Sequence, residues 1–147
     1  MSVTELKTKE EIDQYLDTMS DSNPDMIAID IEGEFNLHCY GEHLCLVQIY
    51  DGTNEIIIDP FKLKDFAALK SIFEKRDLLK IMYDATSDAA LLSVEYGIRI
   101  KSILDLRPAV MLLDYQKQSL SNVLAAELGI DPGNKKSFKP TTGCEGP

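Results

Sequence analysis

Asp30 and Glu32 stand two residues apart in MIAIDIEGEF, residues 26 to 35. The stretch opens on Met26, Ile27, Ala28 and Ile29 and reads as a buried strand. Side chains on a strand alternate between faces, so residues i and i+2 point the same way. Ile27, Ile29 and Ile31 therefore share one face, and Ala28, Asp30 and Glu32 share the other. Two carboxylates side by side repel. A lone D-x-E is equally well a strand that ends in water. A third acid changes the balance. In KIMYDATSDAALL a buried strand passes through a short turn into a helix, and Asp88 falls at the start of that helix. Alone, Asp88 needs no more than the helix macrodipole to explain it. Together, all three lie near carboxyl ends of strands, where open α/β sheets bind ligands. Clustered carboxylates tolerate one another when a cation sits between them. Hard divalent ions such as Mg²⁺ take oxygen ligands and keep waters that a phosphate can replace. Two such ions about 3.5–4 Å apart can stabilise the attacking and leaving oxygens of phosphodiester hydrolysis.

Other candidate ligands carry less. HCYGEHLC places His38, Cys39, His43 and Cys45 within eight residues, and zinc takes such ligands tetrahedrally. The spacing is not that of a finger or knuckle, and Cys45 falls inside an apolar strand. Loop histidines and a core cysteine fit better. Gln48 reads as a polar group packed in a strand. Lys135, Lys136 and Lys139 form a small basic cluster that could meet phosphate, but solvated tail lysines explain it as well.

The elements that must position the acids follow from periodicity. Val3 to Leu6 reads as a short strand. TKEEIDQYLDTM reads as a helix, with Thr8 and Glu11 spaced as a capping box. After the 26–31 strand, LCLVQIY (44–50) is apolar on both faces apart from Gln48, as in a central strand. DGTN is a turn and EIIID (55–59) a returning strand. FAALKSIFEK has helical spacing, LLKIMY (78–83) is a strand, and SDAALLSVEYG is a helix stopped by Gly97. A further strand is expected near Ile100 to Ile103, then helices in LRPAVMLL and SLSNVLAAELGI. The order implies an α/β fold. A three-strand meander and then parallel strands make a mixed sheet with helices on both faces.

The totals set bounds. The chain has 147 residues, enough for one domain with a core, and a formal net charge of −10. That charge argues against a passive nucleic-acid binder, which needs a basic surface. It is compatible with an enzyme that meets phosphates through metal ions. Three cysteines with no close pair and no secretory leader argue against a disulfide framework. No apolar run is long enough to span a membrane. A cytoplasmic protein is expected.

The chain resembles the ribonuclease D-like 3′–5′ exonucleases of the DEDD superfamily. IAIDIEGEFNLHCYGEHLCLVQIYDG is similar to their first motif, a D-x-E strand followed by an apolar strand of the L-C-L-I-Q type. LKIMYDATSDAALLSVEYGI is similar to the second, whose Asp matches Asp88, and ILDLRPAVMLL and SLSNVLAAELGI resemble the helical segments beyond it. The resemblance runs from about Ile27 to Lys139 and implies a ribonuclease H-like fold. It implies that Asp30 touches both metals, Glu32 one of them, and Asp88 the second. The catalytic and metal-binding set is then Asp30, Glu32 and Asp88, converging on Mg²⁺ or Mn²⁺ in preference to Zn²⁺. The implied reaction is removal of nucleotides from the 3′ end of single-stranded RNA or DNA by a metal-activated water.

The chain departs from the family pattern in two places. Tyr83 stands where His often precedes the Asp or Asn of the second motif, and Asp84 receives no ligand role. The third motif, which supplies a fourth Asp and a Tyr or His that orients the water, is not found in the 147 residues. The domain is therefore expected to occupy residues 1–139 and to be cut short before that motif, with a disordered, non-family tail at 140–147. Impaired cleavage is expected, as is self-association through apolar surface left by the missing helix. A non-catalytic RNA- or protein-binding module on the same fold is the rival. The tail itself suggests a cause. One base inserted after the Thr141 codon permits Thr-Asp-Trp-Leu-Arg-Arg-Pro, a segment typical of the family before its third motif. A downstream frame of the gene is then expected to encode a helix with Tyr or His and, soon after, Asp.

Overall fold

The computed structural model describes residues 3–22, 24–35, 42–63 and 65–129. It divides into two compact units, residues 1–108 and residues 109–147. In the first, β1 (Val3–Leu6), α1 (Lys9–Ser22), β2 (Met26–Phe35), β3 (Glu42–Tyr50) and β4 (Glu55–Ile58) lead to a 3₁₀ turn at Pro60–Lys62. Then come α2 (Ala67–Glu74), β5 (Leu79–Met82), α3 (Thr86–Tyr96) and β6 (Ile103–Asp105). The unit boundary falls within α4 (Arg107–Leu112), and α5 (Leu120–Leu128) belongs to the second unit.

The six strands form one mixed sheet in the order β1-β4-β3-β2-β5-β6. β2, β3 and β4 are the expected antiparallel meander. β5 joins β2 in parallel, β6 joins β5 in parallel, and β1 flanks β4 in parallel. The alternation of β2 places Ile27, Ile29 and Ile31 in the core, where they line up with Val47, Ile49, Ile56 and Ile58. The same cluster takes Ile12 and Tyr15 from α1, Leu69, Ile72 and Phe73 from α2, and Leu91 and Leu92 from α3. The connections β1–α1–β2, β4–α2–β5 and β5–α3–β6 all advance the same way across parallel strands. With right-handed crossovers, this puts all three helices of the first unit on one face of the sheet. The capping box forms as read: Glu11 accepts from the Thr8 N–H at 3.0 Å and donates its own N–H to Thr8 Oγ1 at 3.2 Å. Gly97 caps α3 at φ 61°.

Three features depart from the sequence reading: the helices of the first unit share one face of the sheet where the sequence implies both faces, β6 begins late, and a lysine enters the core. β6 starts at Ile103 rather than near Ile100. Ile98 is buried in the core from a loop, and Ser102 at φ 55° turns the chain before pairing with β5 begins. Lys80, inside β5, is fully buried on the core face. Its Nζ donates to the Lys75 carbonyl oxygen, and burial pushes its pKa down to about 8. In the second unit, Ser119 caps α5 by accepting the Asn122 N–H, and Tyr115 donates to Glu127. Among the described residues no helix is long and apolar enough to cross a membrane.

Candidate active site

Asp30 and Glu32 lie where β2 outruns its parallel neighbour. The last β2–β5 pair is Ala28 with Ile81, and β2 continues beyond it alongside β3 only. Asp30 pairs with Gln48 and Glu32 with Leu46, and both acids are exposed, on the face opposite the three isoleucines. Beyond the end of β5 the chain turns through Tyr83, Asp84 and Ala85 into α3. Asp88 sits in the first turn of α3 and is half-buried.

What brings α3 to β2 is a residue to which the sequence pattern gives no role. The β2–β3 register slips between Glu32 and Gly33, so that Cys45 is skipped and Gly33 pairs with Leu44. The slip returns Leu44 to the core face, where it is 1% exposed and donates its N–H to Tyr96 Oη of α3 at 2.8 Å. A Cβ on Gly33 would stand 2.7 Å from Leu91 Cδ2 of α3. A side chain at Gly33 would press on the tip of Leu91, one residue past Glu32 and one turn past Asp88. Gly33→Ala is expected to destabilise the fold by about 1–3 kcal/mol, the usual range for a methyl forced into a packed site. Leu91 is buried and has little room to yield. A thermal melt that matches the parent would mean that Leu91 repacks freely.

Asp88 feels the acids around it. Burial first, and then the negative charges of Asp30, Glu32, Asp84 and Asp105, push its pKa up to about 6. The two acids of β2 thus bear on the acid of α3 through space. Among the described residues, however, no three His, Cys, Asp or Glu side chains are gathered closely enough to hold a metal ion as they stand. The donor set is all oxygen and strongly negative, which suits a hard divalent ion rather than zinc.

Asp105, at the end of β6, and Arg107 complete this edge. Asp105 Oδ1 accepts the Asp84 N–H at 2.9 Å and the Arg107 N–H at 3.0 Å, while Oδ2 accepts the Ala85 N–H at 3.0 Å. Burial pushes the Asp105 pKa up, but the N–H groups of Arg107, Asp84 and Ala85 outweigh it and hold the carboxyl below its usual range. Arg107 Nη1 pairs with Asp84 Oδ2.

The second ligand cluster does not assemble into a zinc site among the described residues. His38 and Cys39 lie outside them, and Cys45 Sγ contacts the His43 carbonyl oxygen at 3.4 Å. Gln48 is partly buried in β3 beside Asp30. Lys135, Lys136, Lys139 and the tail 140–147 also lie outside the described residues.

The profile of a 3′–5′ exonuclease family matches residues 3–139. The exosome complex component 10 homolog of Caenorhabditis elegans is 29% identical over 120 residues, which are 81% of this chain and 13% of that protein. The chain therefore spans about one-eighth of that relative's length. Among solved structures, Escherichia coli RNase D, an exoribonuclease involved in structured RNA processing, superposes with a TM-score of 0.81. It has 18% identity over 95% of this chain and 36% of its own. Trypanosoma brucei RNase D, solved in complex with RNA U12, gives 0.73 at 20% identity over 87% of this chain and 47% of its own. These superpositions share the fold: a mixed sheet with flanking helices, as the sequence resemblance implied. With a match covering nearly its whole length, the chain belongs to the 3′–5′ exonuclease domain family.

Proposed function

We propose that this chain removes nucleotides from the 3′ end of single-stranded nucleic acid, RNA before DNA, at a divalent-metal site formed by Asp30, Glu32 and Asp88. The observation that carries the proposal is the placement of Asp30 and Glu32 on the overhanging end of β2 and of Asp88 in the first turn of α3, in a chain of the 3′–5′ exonuclease domain family. RNA is favoured because the RNase D relatives are an exoribonuclease and an RNA complex. Asp30 would hold both ions, Glu32 one, and Asp88 the second, with Mg²⁺ or Mn²⁺ as the metal. When bound, such ions lower the pKa of a water and stabilise charge on the leaving oxygen. The chain's own contribution is to hold three carboxylates of like charge on two rigid elements. It also withdraws one further carboxylate, Asp84, into an ion pair with Arg107. A net charge of −10 makes bound cations the natural bridge to a polyanionic substrate.

By resemblance, a fourth carboxylate and a Tyr or His that orients the water come from a third motif. Cleavage by these residues alone is expected to be slow, since assistance by a positioned acid or base is worth ~10²–10⁴-fold. Exposed Met111, Leu112, Leu113 and Leu128 support self-association through apolar surface.

The deciding assay uses 5′-labelled single-stranded RNA and DNA with stoichiometric protein, in Mn²⁺ and in EDTA. A ladder shortening from the 3′ end in Mn²⁺ only is expected. Bound but intact RNA under both conditions would establish the binding module instead.

A further inference from the structure

The turn between β5 and α3 is held by a residue from a different strand. Ala85, the residue that precedes α3, offers no side-chain cap. Asp84 is held at φ 63°, a left-handed conformation that costs a non-glycine residue free energy, though Asp tolerates it better than most. Both are stabilised from outside. One carboxylate, Asp105, receives the backbone N–H groups of Asp84, Ala85 and Arg107. The Arg107 side chain then takes hold of the Asp84 carboxylate. The turn so fixed is followed directly by the first turn of α3, which carries Asp88.

We propose that Asp105 is a positioning residue for the carboxylate site: it clamps the 84–85 turn and so fixes where α3 begins, and with it the place of Asp88 in the first turn of that helix, while Arg107 holds the Asp84 carboxylate in an ion pair. The inference rests on the metal-site reading above and adds to it residues that reach the site only through the backbone. Carboxylates that orient a metal ligand from the next layer out characteristically change affinity by about 10–100-fold when removed.

The test measures Mn²⁺ affinity by calorimetry on the full chain, alongside backbone amide exchange and thermal melts. Asp30→Asn first establishes that the measured Mn²⁺ binds at the acidic edge. If its affinity equals the parent's, the metal-site reading itself fails. Asp105→Asn keeps the size of the side chain but replaces one accepting oxygen with a donor. The Ala85 amide should lose protection, and Mn²⁺ affinity should fall roughly tenfold at temperatures well below the melt. Removing a charge would weaken binding by itself, but that part is screened by salt. A positional loss persists at about 0.5 M salt, and a purely electrostatic one does not. A loss that vanishes at high salt overturns the proposal, as does unchanged affinity with a deprotected Ala85 amide. Arg107→Gln serves if Asp105→Asn does not fold. It keeps the backbone N–H to Asp105 and loses only the Asp84 pair, so a freed Asp84 adds negative charge beside Asp88. Positioning predicts weaker Mn²⁺ binding despite that added charge. Tighter binding would overturn the role given to the clamp.

Discussion

Asp30→Asn is expected to abolish metal-dependent cleavage while leaving the fold intact. The substitution keeps size and strand propensity, and Asp30 is exposed, so no packing is lost. What it removes is one of the negative charges that would hold the ions. A bound divalent ion supplies several kcal/mol of transition-state stabilisation, and each ~1.4 kcal/mol is a factor of ten in rate. A loss of roughly 10³-fold or more is therefore expected, read as disappearance of the Mn²⁺-dependent ladder. In metal-free buffer the variant should melt slightly higher than the parent, because Asp30 no longer repels Glu32 and Asp88. The Asp88 carboxyl should also titrate lower, since Asp30 is the largest charge acting on it after burial. That change is visible by NMR in the absence of any activity. Undiminished cleavage in the variant would place the active site elsewhere.

The parts of this site legible in the sequence are those fixed by local period. Ile27, Ile29 and Ile31 alternate with Ala28, Asp30 and Glu32, and a period of two leaves one arrangement of faces. Asp88 is legible because strand, turn and helix signals surround it within a dozen residues. Gly33 is not, because a glycine after D-x-E at the end of an apolar run reads as the end of the strand. Only the pairing with β3 reveals the register slip and the approach of Leu91. The sequence places β6 too early because Ile98 and Ile100 alternate as a strand would. Alternation cannot tell a residue buried from a loop from one buried in a sheet. Asp105 and Arg107 act on residues about twenty positions earlier in the chain, and no local pattern encodes such a contact. Lys80 is legible as part of a strand, but not as a lysine drawn into the core.

Stability and metal affinity are expected to respond to pH in opposite directions, with Asp88 responsible for both. Its carboxyl titrates at about 6 in the folded chain against an ordinary value of 3.8. The folded state therefore binds this proton more tightly than the unfolded state does. In metal-free buffer the contribution of protonated Asp88 to stability is complete below about pH 4 and is lost as pH rises through about 6. In a fully buried group a difference of that size would correspond to about 3 kcal/mol. Asp88 is only half-buried, and after screening by solvent a change of about 1 kcal/mol is the reasonable expectation. Metal binding needs the carboxylate, so affinity for Mn²⁺ should fall about tenfold for each step of one in pH below about 6, one proton being displaced per site. Adding Mn²⁺ should thus reverse the slope: the chain melts lower at about pH 7.5 than at about pH 5 without metal, and higher with it. Asp88→Asn should flatten both trends, because its amide carries no proton to exchange. Melts at about pH 5, 6 and 7.5, with and without Mn²⁺, on the parent and this variant, check the prediction. Parallel slopes in the two proteins would show that Asp88 neither carries the raised proton affinity nor binds the ion.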